Sequence, residues 1–145
     1  FISYSDMATA FAEYLGVDVE FKIVGDWDFK HLELNNGSFD CIWNGMTISE
    51  EVLANTSCSK AYVKNAQVLV APKDKAEEYK DTAVIKDLKV AVEAGSAGFA
   101  AAEEFGAADI VEVTAQTDAV LEVTSKSCDA CIIDITMANA MLGTK

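Results

Sequence analysis

Residues 89–105, KVAVEAGSAGFAAAEEF, read as a strand, a tight turn and a helix in direct succession. Lys89 to Ala94 carries the apolar run of a buried strand, and Gly95-Ser96-Ala97-Gly98 is a turn of small residues. Phe99, Ala102 and Phe105 then recur at helical spacing until Gly106 stops the helix. The same order repeats downstream: a strand at Ile110–Thr114, a helix from Asp118 to Lys126, a strand at Ala130–Asp134 and a helix from Thr136 to Leu142. Strand alternating with helix is the signature of a parallel sheet covered by helices, because parallel strands need a long return connection.

Upstream, Asp6 is a candidate cap for a helix through Met7, Phe11 and Leu15 that ends at Gly16. Val17, Val19, Phe21 and Ile23 alternate with Asp18, Glu20 and Lys22, which predicts a strand with one buried face. Asp28 opens a second helix through Leu34, and Asn35-Asn36-Gly37 closes it before a predicted strand at Phe39–Trp43. Ser49, backed by Glu50 and Glu51, caps a short helix. Ala61 to Ala71 is the longest strand signal, and Pro72 with the polar run after it marks a change of unit. The expected architecture is α/β with two lobes, residues 1–66 and residues 67–145, each a mostly parallel sheet flanked by helices.

Composition narrows the function. The chain has 145 residues, 51% of them hydrophobic, with 11 basic against 24 acidic side chains and a formal charge of −13. Every basic residue is Lys, so no Arg fork is present for phosphate or carboxylate, and a nucleic-acid partner is excluded. No apolar run reaches the ~18 residues of a membrane span. His31 is the one histidine and has no Ser or Cys partner in a nucleophile motif, so it is expected at the surface or at a boundary. Neither a metal site nor a cofactor is expected. Cys128 and Cys131 form a C-x-x-C that leads into a strand rather than a helix, and both read as small core residues on opposite faces. Cys41 and Cys58 could meet only through tertiary contact.

Ligands of open α/β sheets lie beyond strand C-termini, at helix N-termini. Three such points occur: Asn44-Gly45-Met46-Thr47 before Ser49, the Gly95–Gly98 turn, and Asp134 at the end of CIID. Taken singly, each reads as turn geometry before it reads as a ligand site, and Asp134 could be a ligand-facing carboxylate or a helix N-cap. Trp27 could be a flat pocket wall or a staple on the helix that follows, whereas Trp43 reads as core.

Five segments in this order carry a resemblance: DMATAFAEYLGVDVEFKIV (6–24), DWDFKHLELNNGSFDCIWNGMTISEE (26–51), SKAYVKNAQVLVAPK (59–73), KVAVEAGSAG (89–98) and SCDACIID (127–134). Together they resemble the amino-acid type of extracytoplasmic solute-binding proteins of ABC transporters, with the type II periplasmic binding fold. The resemblance implies a non-enzymatic protein whose two lobes close on an amino acid or similar zwitterion and present it to a membrane permease. It also implies an extracytoplasmic location, periplasmic or lipid-anchored. It places Trp27 against the ligand, Asn44, Gly45 and Thr47 at its polar groups, Ser96 and Ala97 at its carboxylate, and Asp134 at its α-ammonium. Loss of Asp134 is accordingly expected to weaken binding and leave folding intact. The family's carboxylate-clamping Arg falls at Val52, and its first strand and final return segment have no counterpart, as if the chain were the middle of a longer protein. A sensory or receptor domain of the same fold, or a dehydratase built on it, are the alternative functions.

Overall fold

A computed structural model describes residues 3–142. They form two compact units, one running up to Gly25 and resuming over Phe29–Val63, the other made of Asp26–Asp28 and the chain from Lys64 onward.

The second unit is built on a four-stranded mixed sheet of β1 (Gln67–Val70), β2 (Lys89–Glu93), β3 (Asp109–Val113) and β4 (Ala130–Asp134), in the order β1-β4-β2-β3. β2 lies parallel to both β3 and β4, while β1 runs antiparallel to β4 with Gln67 opposite Asp134. Alternation along the strands sorts the core into two faces. Val90, Val92, Ala130 and Ile132 pack with Ile85, Leu88 and Ala102 on one side, so helix α4 (Ala97–Glu104) covers that face. Ala91, Cys131 and Ile133 pack with Ala119, Val123 and Cys128 on the other, under helix α5 (Gln116–Thr124). A helix at Ile135–Leu142 follows β4. Val90, Ala91, Val92 and Cys131 have no exposed surface, the burial expected of strands covered on both faces. Of the Ala61–Ala71 signal only Gln67–Val70 is strand, because only those residues find partners on β4.

The first unit is helical among the described residues: α1 (Tyr4–Leu15), α2 (Lys30–Asn35) and α3 (Glu50–Asn55). Ser3 caps α1, with Asp6 answering as the third residue of a capping box, so Asp6 is not itself the cap. Gly16 ends α1 at φ 71, which only glycine adopts without cost. A single 3-10 turn over Trp27–Phe29 precedes α2. Ser49 caps α3 by accepting the Val52 N–H at 3.2 Å.

The strands expected at 17–23 and 39–43 do not form. A strand is held by a ladder to a neighbour, and among the described residues neither segment has one. The alternating side chains of the first segment stay largely outside, with Val17 57%, Phe21 56% and Ile23 96% exposed. His31 departs from expectation too: it is 9% exposed, and its Nε2 lies 3.0 Å from Glu51 Oε1. Adjacent Lys30 is also buried, 4.0 Å from the same oxygen. Cys128 and Cys131 share one core cluster instead of facing opposite ways, because Cys128 lies in the turn before β4 and not in the strand. All four cysteines are free thiols.

Candidate functional site

The sheet of the second unit brings its chemistry to one edge. β2, β3 and β4 are parallel, so Glu93, Val113 and Asp134 end on the same side, where α4 and α5 begin. Antiparallel β1 starts there with Gln67. The strand pairing therefore collects polar residues from three of the four strands, β1, β2 and β4, around one edge, the place where open α/β sheets hold ligands.

At the start of α4, Ser96 is the N-cap, with extended backbone and its Oγ accepting the Phe99 N–H at 3.2 Å. Ala97 and Gly98 are the first residues of the helix, whose opening N–H groups have no acceptor within it. Gly98 is required by close approach: a Cβ there would lie 2.7 Å from the Ile132 carbonyl oxygen and 3.3 Å from both Gln67 Oε1 and Ser96 Oγ. The helix start is thus pressed onto β4. Gly95 has φ 62, and a Cβ there would collide with the Asp28 carboxylate.

Asp134 is the hub of this edge. Its Oδ1 accepts from Asn65 Nδ2 and from Gln67 Nε2, both at 2.7 Å, and its Oδ2 accepts from Gln116 Nε2 at 2.8 Å. Its own backbone N–H donates to Gln116 Oε1 at 2.9 Å. Gln116 Nε2 also lies 3.5 Å from Glu93 Oε2. Three neutral amides hold the half-buried carboxylate, and no ion pair reaches it among the described residues, so its charge is solvated but not cancelled. Among the described residues the carboxylate accepts from no backbone N–H of a helix, so it is not an N-cap, and most of its acceptor directions are filled by these three amides.

In the first unit, the Asn44–Thr47 turn is set by two local bonds. Asn44 Oδ1 accepts the Met46 N–H at 2.9 Å, and the Asn44 carbonyl accepts from the Tyr62 hydroxyl at 2.6 Å. Burial pushes the Tyr62 hydroxyl above its ordinary range, with Tyr4 adding to the effect. Tyr4, Phe11, Trp43 and Tyr62 pack with ring centroids 5.4–6.4 Å apart, so Trp43 belongs to an aromatic cluster beside this turn. A Cβ at Gly45 would come within 2.7 Å of Tyr4 Oη, so a larger residue there would have to displace the Tyr4 side chain. Tyr4 Oη and Trp43 Nε1 are buried without a hydrogen-bond partner among the described residues. Thr47 is exposed, and its carbonyl accepts the Ser49 N–H at 3.1 Å. Val52 is core at 3% exposure.

Of the residues singled out in sequence, Ser96, Ala97 and Asp134 thus share one edge of the second unit. Half-buried Trp27 groups with that unit, and Asn44, Gly45 and Thr47 lie in the first. Asn65, Gln67, Glu93 and Gln116 escaped sequence reading. Asn65 and Gln67 stand two apart at the head of the strand signal KNAQVLVA, a spacing that puts two amides on one face. Gln116 opens a helix whose N-cap, Ala115, makes no side-chain cap bond.

Among the described residues no group of three or more His, Cys, Asp or Glu is placed to hold a metal ion. Among the same residues no helix is long and apolar enough to cross a membrane.

An α/β sheet with small-residue helix starts and a fixed carboxylate at its strand ends has the arrangement in which open α/β sheets hold ligands. The chain belongs to the bacterial extracellular solute-binding proteins, family 3, whose model matches residues 4–140. Among solved structures it is similar to an ancestral amino-acid-binding protein described as a precursor of cyclohexadienyl dehydratase: 34% identity over 96% of this chain and 63% of that one, TM-score 0.89. An ancestral arginine-binding protein bound to arginine matches at 31% identity over 96% and 62%, TM-score 0.85. An ABC uptake transporter substrate-binding protein from Streptococcus pneumoniae with bound histidine matches at 29% over 93% and 57%, TM-score 0.83. The chain therefore spans 57–63% of the length of these three proteins. Among curated proteins none matches the chain significantly.

Proposed function

We propose that the chain is the ligand-binding portion of an extracytoplasmic solute-binding protein that takes an amino acid or a related ammonium-bearing solute for an ABC transporter permease. The observation that carries this reading is Asp134: an uncancelled carboxylate fixed by Asn65, Gln67 and Gln116 at the strand-end edge. A fixed negative charge whose plane is set in advance suits a cationic N–H group, because the cost of ordering the acceptor is already met. The capped start of α4 at Ser96 offers helix N–H groups to the solute's anionic end, which matters in a chain without Arg. Trp27, Asn44, Gly45 and Thr47 are assigned to the solute's remaining contacts through the family alone. Membership of an extracellular solute-binding family, and relatives described as binding arginine and histidine, favour transport over catalysis.

The test is a thermal-shift scan of the purified chain against the twenty amino acids and simple carboxylates lacking an amine. A solute that binds only the folded state at 100 times its Kd stabilises by about 2.7 kcal/mol. A rise in Tm with one or more amino acids, and none with the amine-free acids, is the expected result. Stabilisation by the amine-free acids alone would overturn the reading.

A further inference from the structure

We infer that Gln116 is the positioning residue of this site, and that the site selects a solute whose cationic nitrogen bears an N–H over one whose nitrogen is fully alkylated. The selectivity rests on the reading above, in which Asp134 receives the solute's cation; the positioning rests on geometry alone.

Gln116 makes two bonds to one residue. Its Oε1 takes the backbone N–H of Asp134 and its Nε2 gives to Oδ2 of the same residue, at 2.9 and 2.8 Å. A carboxamide gripping backbone and carboxylate together fixes the carboxylate plane relative to the strand, which a single bond would not do. Asn65 and Gln67 fill both acceptor directions of Oδ1. A carboxylate offers about four such directions, so one remains, on Oδ2. That direction accepts one N–H. A trimethylated nitrogen has no hydrogen to place there and meets the charge only at longer range. The local sequence supports the role: α5 opens on Ala115, which makes no cap bond, and the first side chain of the helix reaches to β4.

The positioning is tested on the ligand-free chain with Gln116→Glu and Gln116→Met. Glu keeps the shape but sets a carboxylate against Asp134; the other acidic groups near it are Glu93 on β2 and Asp118 in the first turn of its own helix. Two facing carboxylates hold one proton between them, and the protonated form restores a donor toward Oδ2. The folded variant thus binds a proton more tightly than the unfolded one, so its Tm relative to wild type climbs as pH falls from 7 to 4. Gln116→Met, which has nothing to protonate, shows no such recovery. A pH-independent deficit in Gln116→Glu, or none at all, would overturn the positioning role.

The selectivity is tested with L-arginine, L-histidine and Nα-trimethyl-L-histidine by titration calorimetry. Either unmethylated amino acid is expected to lose at least tenfold in affinity on Gln116→Met, and the trimethyl derivative to bind wild type at least tenfold more weakly than histidine. Equal affinity for histidine and its trimethyl derivative would overturn the selectivity while leaving the binding reading in place. Low-pH recovery of Gln116→Glu without binding of any of the three probes would overturn the selectivity as stated and support the positioning, while the binding reading stands or falls with the scan of all twenty amino acids.

Discussion

Gly98→Ala tests how tightly the helix start is seated on the sheet. The added Cβ would sit 2.7 Å from the Ile132 carbonyl oxygen, a backbone atom that cannot rotate away. Ordinary contact begins near 3.4 Å, so α4 and β4 would have to separate by about 0.7 Å. Overpacking of this kind costs about 1–3 kcal/mol, against which alanine regains up to about 1 kcal/mol of helix preference over glycine. The net loss lies between about 0 and 3 kcal/mol and centres on about 1–2 kcal/mol. For a unit of this size that lowers Tm by roughly 5–15 °C, readable by circular dichroism on heating. Gly25→Ala is the control, since a Cβ there meets nothing within 4 Å and its φ is ordinary. It should stay within about 0.5 kcal/mol of wild type. A raised Tm for Gly98→Ala would refute the close seating of α4, and with it the placement of Ser96 and Gln67 beside each other.

Asp134→Ala removes the acceptor of three side-chain amides, so it should cost about 2–4 kcal/mol of stability in addition to any loss of binding; a wild-type denaturation midpoint would contradict the hydrogen-bonded hub. Glu51→Ala leaves His31, whose Nδ1 already lacks a partner among the described residues, without a bond to its other ring nitrogen, and should destabilise the first unit by about 1–3 kcal/mol in urea titration. At pH 8 a thiol reagent should modify exposed Cys41 and spare Cys128 and Cys131 in the native chain, as mass spectrometry of the peptides will show. Burial pushes the Cys131 thiol up to about 12, with neighbouring Cys128 adding to it. The unfolded thiol ionises near 9.0 and the folded one later, so the unfolded state holds fewer protons in that range. Stability should therefore fall as pH rises from about 9 toward 12, and the Cys131→Ala variant should show a smaller fall.

The second unit was legible because its information is local. Val90-Ala91-Val92 and Ala130–Ile133 state their burial in consecutive residues, and Ser96 and Gly106 mark the ends of α4 at single positions. The first unit was less so. The alternation of Val17, Val19, Phe21 and Ile23 specifies a face suited to burial, but a ladder also needs a neighbour, and none is present among the described residues. His31 was misread for a similar reason: its burial and its partner depend on Glu51 of α3, twenty residues away, and single-residue polarity carries no trace of that. At the candidate site the strand-end logic located Ser96 and Asp134. The amides that hold Asp134 come from positions 65, 67 and 116, brought together only by the antiparallel pairing of β1 and the return of α5. Those are long-range facts, and glutamine and asparagine carry no motif of their own.

The most direct test of the account is a 15N-resolved NMR titration of the chain with the amino acid that most raises its Tm, following the side-chain NH2 pairs of Asn65, Gln67 and Gln116. Binding at Asp134 predicts that all three pairs shift together and saturate with one Kd. Saturable shifts elsewhere in the chain, with these three pairs unmoved, would contradict it.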